Sequence, residues 1–141
     1  MRGFGILLML LVFSSCRTYT SPFQAKKYIR ISEGGGFTGA LTTYYVLKNG
    51  EVFYQIPNTD KTRKMASIQK KDARYFFRQT KKYVSDSNLV KDPDNIYRVL
   101  EYATRDSSYS FVWYHGHPQL DSLYDQIKRG IDANNRLKYV E

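Results

Sequence analysis

The chain has 141 residues and a net charge of +9, from 22 Lys and Arg against 13 Asp and Glu. This length accommodates a single domain. Its only cysteine is Cys16, which excludes a disulfide within one chain, so the fold is expected to be held together by packing alone.

The first fifteen residues have the pattern of a secretion signal. Arg2 supplies a positive charge, residues 6–13 form an apolar run of eight, and Ser14 and Ser15 are small. Eight apolar residues are too few to span a bilayer, which requires about 20. They suit the apolar region of a cleaved leader, so residues 1–15 are predicted to be a signal peptide.

Cys16 directly follows this leader. The stretch FSSC, residues 13–16, resembles the lipobox of bacterial lipoproteins, with Phe13 at a position where Leu is usual. The resemblance implies cleavage before Cys16 and acylation of its thiol and new amine. It also implies a lipid anchor on the outer membrane of a bacterial cell envelope, with the domain facing the periplasm or the cell surface. The alternative is an ordinary secretion signal with a chance cysteine.

The next segment separates this anchor from the domain. Residues 17–25 contain Pro22 and lack periodicity, so a lipidated tether is predicted over residues 16–26 and a single domain over residues 27–141. Alternating Ile29 and Ile31 predict the first strand.

A glycine-rich stretch follows that strand. In residues 31–39, ISEGGGFTG, Gly34, Gly36 and Gly39 fit the pattern G-x-G-x-x-G of dinucleotide-binding loops. Such a loop must lead into a helix, whose N-terminus holds the pyrophosphate. Here a second strand follows instead, so the match is interpreted as accidental. A bend between two strands, where glycine supplies positive φ, is predicted.

The same loop suggests a second function. Gly35, Gly36, Phe37 and Gly39 resemble the GGF-small-G signature of emfourin-type inhibitors of thermolysin-like metalloproteases. The resemblance covers about residues 28–131 and implies a loop between early strands, followed by a helix, two strands and a last helix. It implies that Phe37 enters an apolar protease subsite; the alternative is that Phe37 turns inward and seals the core. The predicted partner-binding loop comprises Gly34, Gly35, Gly36, Phe37 and Gly39.

Two β-branched and aromatic runs, residues 42–47 and 51–56, flank Lys48-Asn49-Gly50 and predict a hairpin with positive φ at both central residues. Residues 57–66 are predicted to form a polar loop.

The segment 61–82 contains nine basic residues and one acid. It overlaps a helix predicted over residues 67–84, with Ser67 as N-cap. One face of this helix is predicted to be buried: Ala73, Phe76, Phe77, Thr80, Tyr83 and Val84. The basic arc lies on a separate face: Lys70, Lys71, Arg74, Arg78, Lys81 and Lys82. It is either a solvated face or a surface that meets lipid headgroups or an acidic partner. Nucleic acid suits the charge but not the export signal, so no nucleic-acid partner is predicted.

The C-terminal half repeats this order of elements. A break at residues 91–94 precedes a hairpin over residues 96–103 and 109–114, and a last helix begins at Pro118. The last helix buries a stripe at helical spacing: Leu120, Leu123, Tyr124, Ile127 and Ile131. These elements predict an α+β domain in ββαββα order, an antiparallel sheet of four to five strands with two helices on one face. The other face is expected to expose aromatics that could dock in an envelope complex: Tyr44, Tyr54 and Tyr97.

Catalytic groups are sparse. His115 and His117, with Asp121 as a possible third ligand, are too few for a typical zinc site, and a polar turn is the simpler interpretation. No set of nucleophile, base and orienting group is visible. The sequence therefore predicts no enzyme, metal or cofactor, and a lipoprotein that binds a protein or an anionic surface.

Overall fold

The computed structural model describes residues 18–36, 39–86, 91–92, 95–114 and 116–136. A short 3-10 turn, Pro22–Gln24, precedes the first strand. The elements follow in chain order: β1 (Lys27–Gly35), β2 (Leu41–Leu47), β3 (Val52–Gln55), β4 (Thr62–Lys64), α1 (Lys70–Asp86), β5 (Lys91–Asp92), β6 (Ile96–Thr104), β7 (Ser108–Trp113) and α2 (Pro118–Arg136).

The strands form one sheet in the order β4-β3-β2-β1-β6-β7-β5. All pairs are antiparallel except β5 with β7. The α+β class is confirmed, but the predicted number and order of strands are wrong. The two additional strands, β4 and β5, are three and two residues long. Both are polar, and they join the sheet through backbone pairing, which leaves no apolar pattern to detect.

Both helices pack on one face of the sheet, as predicted. Alternate residues of the central strands point into this layer and are fully buried: Ile29, Ile31, Val46, Leu100 and Trp113. They join the apolar faces of the helices in one cluster. The predicted stripes are confirmed: Ala73, Phe76, Phe77 and Thr80 of α1 and all five named residues of α2 are buried, with Tyr83 and Val84 partly so.

Helix α1 begins at Lys70, three residues after the predicted N-cap Ser67. The amide of Ile68 donates to the carbonyl of Gly50, at 2.9 Å, which keeps this part of the chain beside the β2–β3 turn. The amides of Asp72 and Ala73 donate to the carbonyl of Gln69. The helix therefore starts only after this pairing ends.

The β2–β3 hairpin is present, but its turn differs from the predicted one. Only Gly50 has positive φ, at 97°, and Asn49 does not. The amide of Gly50 donates to the carbonyl of Leu47 at 2.9 Å, and that of Leu47 to the carbonyl of Glu51 at 2.8 Å. A single left-handed glycine is typical of longer hairpin loops, whereas two-residue turns of type I′ need two positive φ values.

The prediction that Tyr44 and Tyr54 are exposed on the face opposite the helices is wrong. Tyr44 pairs with Ile31 and with Tyr54, so both tyrosines lie on the helix-facing side. There the ammonium of Lys128 in α2 lies 5.2 Å from the centre of the Tyr44 ring. Tyr97, which pairs with Gly34, lies on the opposite face and is half-buried.

That opposite face is cross-linked by polar side chains. Ser32 and Thr43 are buried and 2.9 Å apart between their hydroxyl oxygens. Arg30 Nε lies 2.5 Å from a carboxylate oxygen of Glu101. The side chains thus connect β2, β1 and β6 through hydrogen bonds and an ion pair, and this part of the face is not an apolar docking surface.

The N-terminal segment, residues 18–26, packs against one end of the same face. Tyr19, Ala25 and Tyr28 cover a second buried cluster, formed by Tyr45, Leu47 and Phe53. Residues assigned to the tether from sequence therefore contribute to the domain. A soluble chain that starts at Arg17 retains every residue of both clusters, and it should fold by itself.

Candidate functional site: a basic cleft and arc

A cleft of about 400 Å³ lies where β1 begins and β2 ends. It is lined by three segments of the chain: Tyr19, Ala25, Lys26, Lys27, Leu47, Lys48, Asn49, Lys70 and Arg74. Five of these residues are cationic and none is acidic. The lining therefore favours an anion strongly over a cation, and we call this site the basic cleft.

Strand pairing brings these cations together. Tyr28 pairs with Leu47, which places the start of β1 beside the β2–β3 turn and Lys27 near Lys48. The bond from Ile68 to Gly50 then brings the start of α1 to the same turn. Lys70 and Arg74, four residues apart in α1, share one face of that helix.

Glu51 holds one wall of the basic cleft in place. Its buried carboxylate accepts hydrogen bonds from the Asn49 side-chain amide, at 2.9 Å, and from the Tyr19 backbone amide, at 3.3 Å. It also accepts one from the ammonium of Lys64. Burial acts to raise the pKa of Glu51, but these hydrogen bonds outweigh it and lower the pKa. Glu51 thereby fixes two residues that line the cleft, while Lys64 neutralises its charge.

The basic arc continues from the cleft along α1. All six residues predicted for it are exposed. Lys70 and Arg74 belong to both surfaces, and the arc runs about 18 Å from Lys70 to Lys82, at about 1.5 Å per residue. Within the described part of the chain, no acidic side chain lies within 4.0 Å of any of the six.

Several other basic residues are paired. Arg30 contacts Glu101 at 2.5 Å, Arg98 contacts Glu33 at 3.1 Å, and Lys128 contacts Asp132 at 2.6 Å. Among the described residues, ion pairs thus neutralise Arg30, Arg98 and Lys128 in the sheet and α2, whereas none is found along the outer face of α1. This contrast makes the cleft and arc the candidate functional site.

No family model matches the chain, and a search of curated proteins finds no significant match. No helix in the described ranges is long and apolar enough to cross a bilayer. The function must therefore be argued from the geometry and charge of the site.

The glycine loop, residues 34–39, joins β1 directly to β2, so the predicted bend is confirmed. Gly35 and Gly36 have φ values of 108° and 71°. The Gly36 amide donates to the carbonyl of Asn95, the residue before β6. Close packing against the backbone of Asn95 explains Gly35, whereas the positive φ favours glycine at position 36. Phe37, on which the inhibitor hypothesis depends, lies outside the described residues, and that hypothesis stays a prediction from sequence.

The carboxylate of Asp121, the possible third metal ligand, is held by two neighbouring side chains. One oxygen of its carboxylate accepts hydrogen bonds from Arg98 at 3.1 Å and from the Trp113 indole at 2.9 Å. His115 lies outside the described residues, and the residues that are described contain no group of three metal-ligating side chains. Burial acts to lower the pKa of Arg98, but Glu33, Asp121 and Asp125 outweigh it and raise the pKa. This cluster joins β1, β6 and α2.

Helical spacing in the sequence predicts the arc, but no local pattern predicts the cleft. The sequence pattern places Lys26 in the tether, Lys27 at the start of the domain and Lys48 in a turn. A usable signal did exist, because an antiparallel hairpin places the start of β1 beside the end of β2. Both ends carry lysines, at Lys26-Lys27 and Lys48.

Proposed function

We propose that this protein is a non-enzymatic lipoprotein of the bacterial cell envelope that is anchored through Cys16 and binds an anionic surface through its basic arc and cleft. The observation that supports this most directly is the unpaired positive charge along α1. Six cations lie on one exposed helical face, and no acid among the described residues neutralises them.

The expected energetics suit a membrane surface. Each Lys or Arg that lies within a Debye length of an anionic membrane contributes about 1 kcal/mol to the free energy of binding. Acyl chains on both the thiol and the amine of Cys16 would already supply the two signals that stable membrane attachment requires. The basic surface would add electrostatic attraction between the domain and anionic lipids. The anchor also keeps the domain near the surface, so each contact can be weak and still be occupied.

The anchor can be tested by mass spectrometry of the protein purified from membranes. We expect a chain that begins at Cys16, lacks residues 1–15 and carries acyl groups on that cysteine. Cys16→Ser should prevent acylation and remove the mature chain from the membrane fraction. A bare thiol at Cys16, or a leader that is still attached in a soluble pool, would contradict the proposal.

The basic arc can be tested with the soluble chain from Arg17 and anionic vesicles. Arg78→Glu removes one attraction and adds one repulsion, so affinity should fall by roughly 2 kcal/mol, about 30-fold, at low salt. The matched control is Arg129→Glu, which reverses an exposed charge of α2 outside the arc. Co-sedimentation at two salt concentrations measures both. Equal losses in the two variants would show attraction by net charge alone and would remove the arc as a binding surface.

A further inference from the structure

We infer that the basic cleft binds the phosphate of one anionic lipid headgroup, in the same membrane that holds the Cys16 anchor. This inference rests on the proposed lipid anchor. It adds a discrete site, of one headgroup per protein, to a surface that would otherwise attract lipids only diffusely.

The first argument is the reach of the chain. Tyr19 lines the cleft and is fixed there, because its amide donates to Glu51 and its carbonyl accepts from Lys64 at 3.5 Å. Cys16 precedes Tyr19 by three residues, which span at most about 11 Å when extended. Acyl chains on Cys16 would therefore keep the cleft close to the headgroup layer.

The second argument is the chemistry of the lining. Ammonium groups and a guanidinium form short, charge-assisted hydrogen bonds with phosphate oxygens, and the guanidinium can bind two oxygens at once. Lys26, Lys27, Lys48, Lys70 and Arg74 come from three different segments and surround one volume of about 400 Å³. Such a volume lies within the range of small-molecule sites. The apolar atoms of Ala25 and Leu47 offer a contact for the glycerol part of a headgroup.

The third argument is an exposed aromatic ring on the same segment. Phe23 is 57% exposed. Its ring is held edge-on against Tyr28 and Tyr45, with centroids 6.0 and 5.3 Å away. Aromatic residues other than phenylalanine dominate at membrane interfaces, but phenylalanine is common on the apolar faces of segments that lie in that layer. The segment that leads from the anchor thus carries an apolar contact and two of the cleft lysines.

The test is a titration of the soluble chain from Arg17 with dihexanoyl phosphatidylglycerol, kept below its critical micelle concentration. NMR chemical shifts of the protein report the binding. We expect saturation at one lipid per protein, with the largest shifts at Tyr19, Lys48 and Asn49. Lys27→Ala and Lys48→Ala should each weaken binding about tenfold, because each removes a charged hydrogen-bond donor. Lys81→Ala, on the arc but outside the cleft, is the control and should change affinity less than twofold. All three residues are exposed, and thermal melts check that the variants fold.

Other outcomes overturn the inference. Chemical shifts that do not saturate would show that lipids are attracted diffusely and that no discrete site exists. Equal losses of lipid affinity in Lys48→Ala and Lys81→Ala would show the same. Inorganic phosphate that binds as tightly as the lipid means a site for a free anion. These failures differ from failure of the anchor, which mass spectrometry of Cys16 reports separately and which leaves this titration unaffected.

Discussion

Gly35→Ala is expected to lower the free energy of unfolding by about 3 kcal/mol or more, because it combines a steric clash with backbone strain. A Cβ atom at this position would lie 2.1 Å from the carbonyl oxygen of Asn95, a backbone atom that cannot move aside alone. Gly35 also has φ of 108°, which side chains rarely adopt. Denaturant unfolding of the soluble chain from Arg17 measures the loss.

Gly39→Ala is the matched control in the same loop. Gly39 has φ of 59°, in the left-handed region, but among the described residues other than its chain neighbours no atom lies within 4 Å of the position that its Cβ would take. The cost should therefore be only the left-handed penalty, roughly 1–2 kcal/mol. Equal losses in the two variants would mean that the contact between Gly35 and Asn95 does not stabilise the loop. A clear difference would mean that packing against the start of β6 explains the glycine at position 35.

Local patterns predicted the helices and both hairpins well. The stripe from Leu120 to Ile131 and the stripe from Ala73 to Thr80 depend only on helical spacing, and both are buried. Asn49-Gly50 predicted the position of the β2–β3 turn, since glycine after asparagine favours a turn, but the predicted turn geometry was wrong because only Gly50 has positive φ. Each of these elements is specified by residues that are close together in the sequence.

The errors occurred where structure depends on distant partners. Strand β4 has the sequence Thr-Arg-Lys and exists because its backbone pairs with β3. Tyr44 and Tyr45 both suit a strand, and only pairing decides that Tyr44 faces the helices while Tyr45 faces the N-terminal segment. A shift of one residue in register would exchange the two faces. The local pattern of β2 does not reveal that register, because it depends on the pairing with β1 and β3.

The candidate site was predictable only in part, for the same reason. The charges of the arc follow one another along a single helix, so their spacing is visible in the sequence. The cleft combines Lys27, Lys48 and Lys70, which are each more than 20 residues from the next along the chain. Their proximity results from the pairing of β1 with β2 and of Ile68 with Gly50.

Glu51→Gln is expected to destabilise the fold by about 2–3 kcal/mol at neutral pH, because charge-assisted hydrogen bonds to a buried carboxylate are worth more than neutral ones. The pKa of Glu51 is lowered in the folded state, so its charged form stabilises the protein above the unfolded pKa of about 4.3. This contribution should decline as the pH falls below that value, through the lower folded pKa. Denaturant unfolding of the parent and of Glu51→Gln between pH 3 and pH 7 measures this contribution. The free energies of unfolding of the two proteins should converge at acidic pH.

Asp106→Asn provides the matched control, since Asp106 is an exposed carboxylate in the β6–β7 turn. It should change the free energy of unfolding by less than about 0.5 kcal/mol at any pH. A Glu51→Gln curve parallel to the parent down to pH 3 would contradict the role given to the charge of Glu51. Because Glu51 holds both Tyr19 and Asn49, the variant should also speed hydrogen exchange at the Tyr19 amide. Loss of stability together with faster exchange there would mean that one carboxylate supports both the N-terminal segment and the wall of the basic cleft.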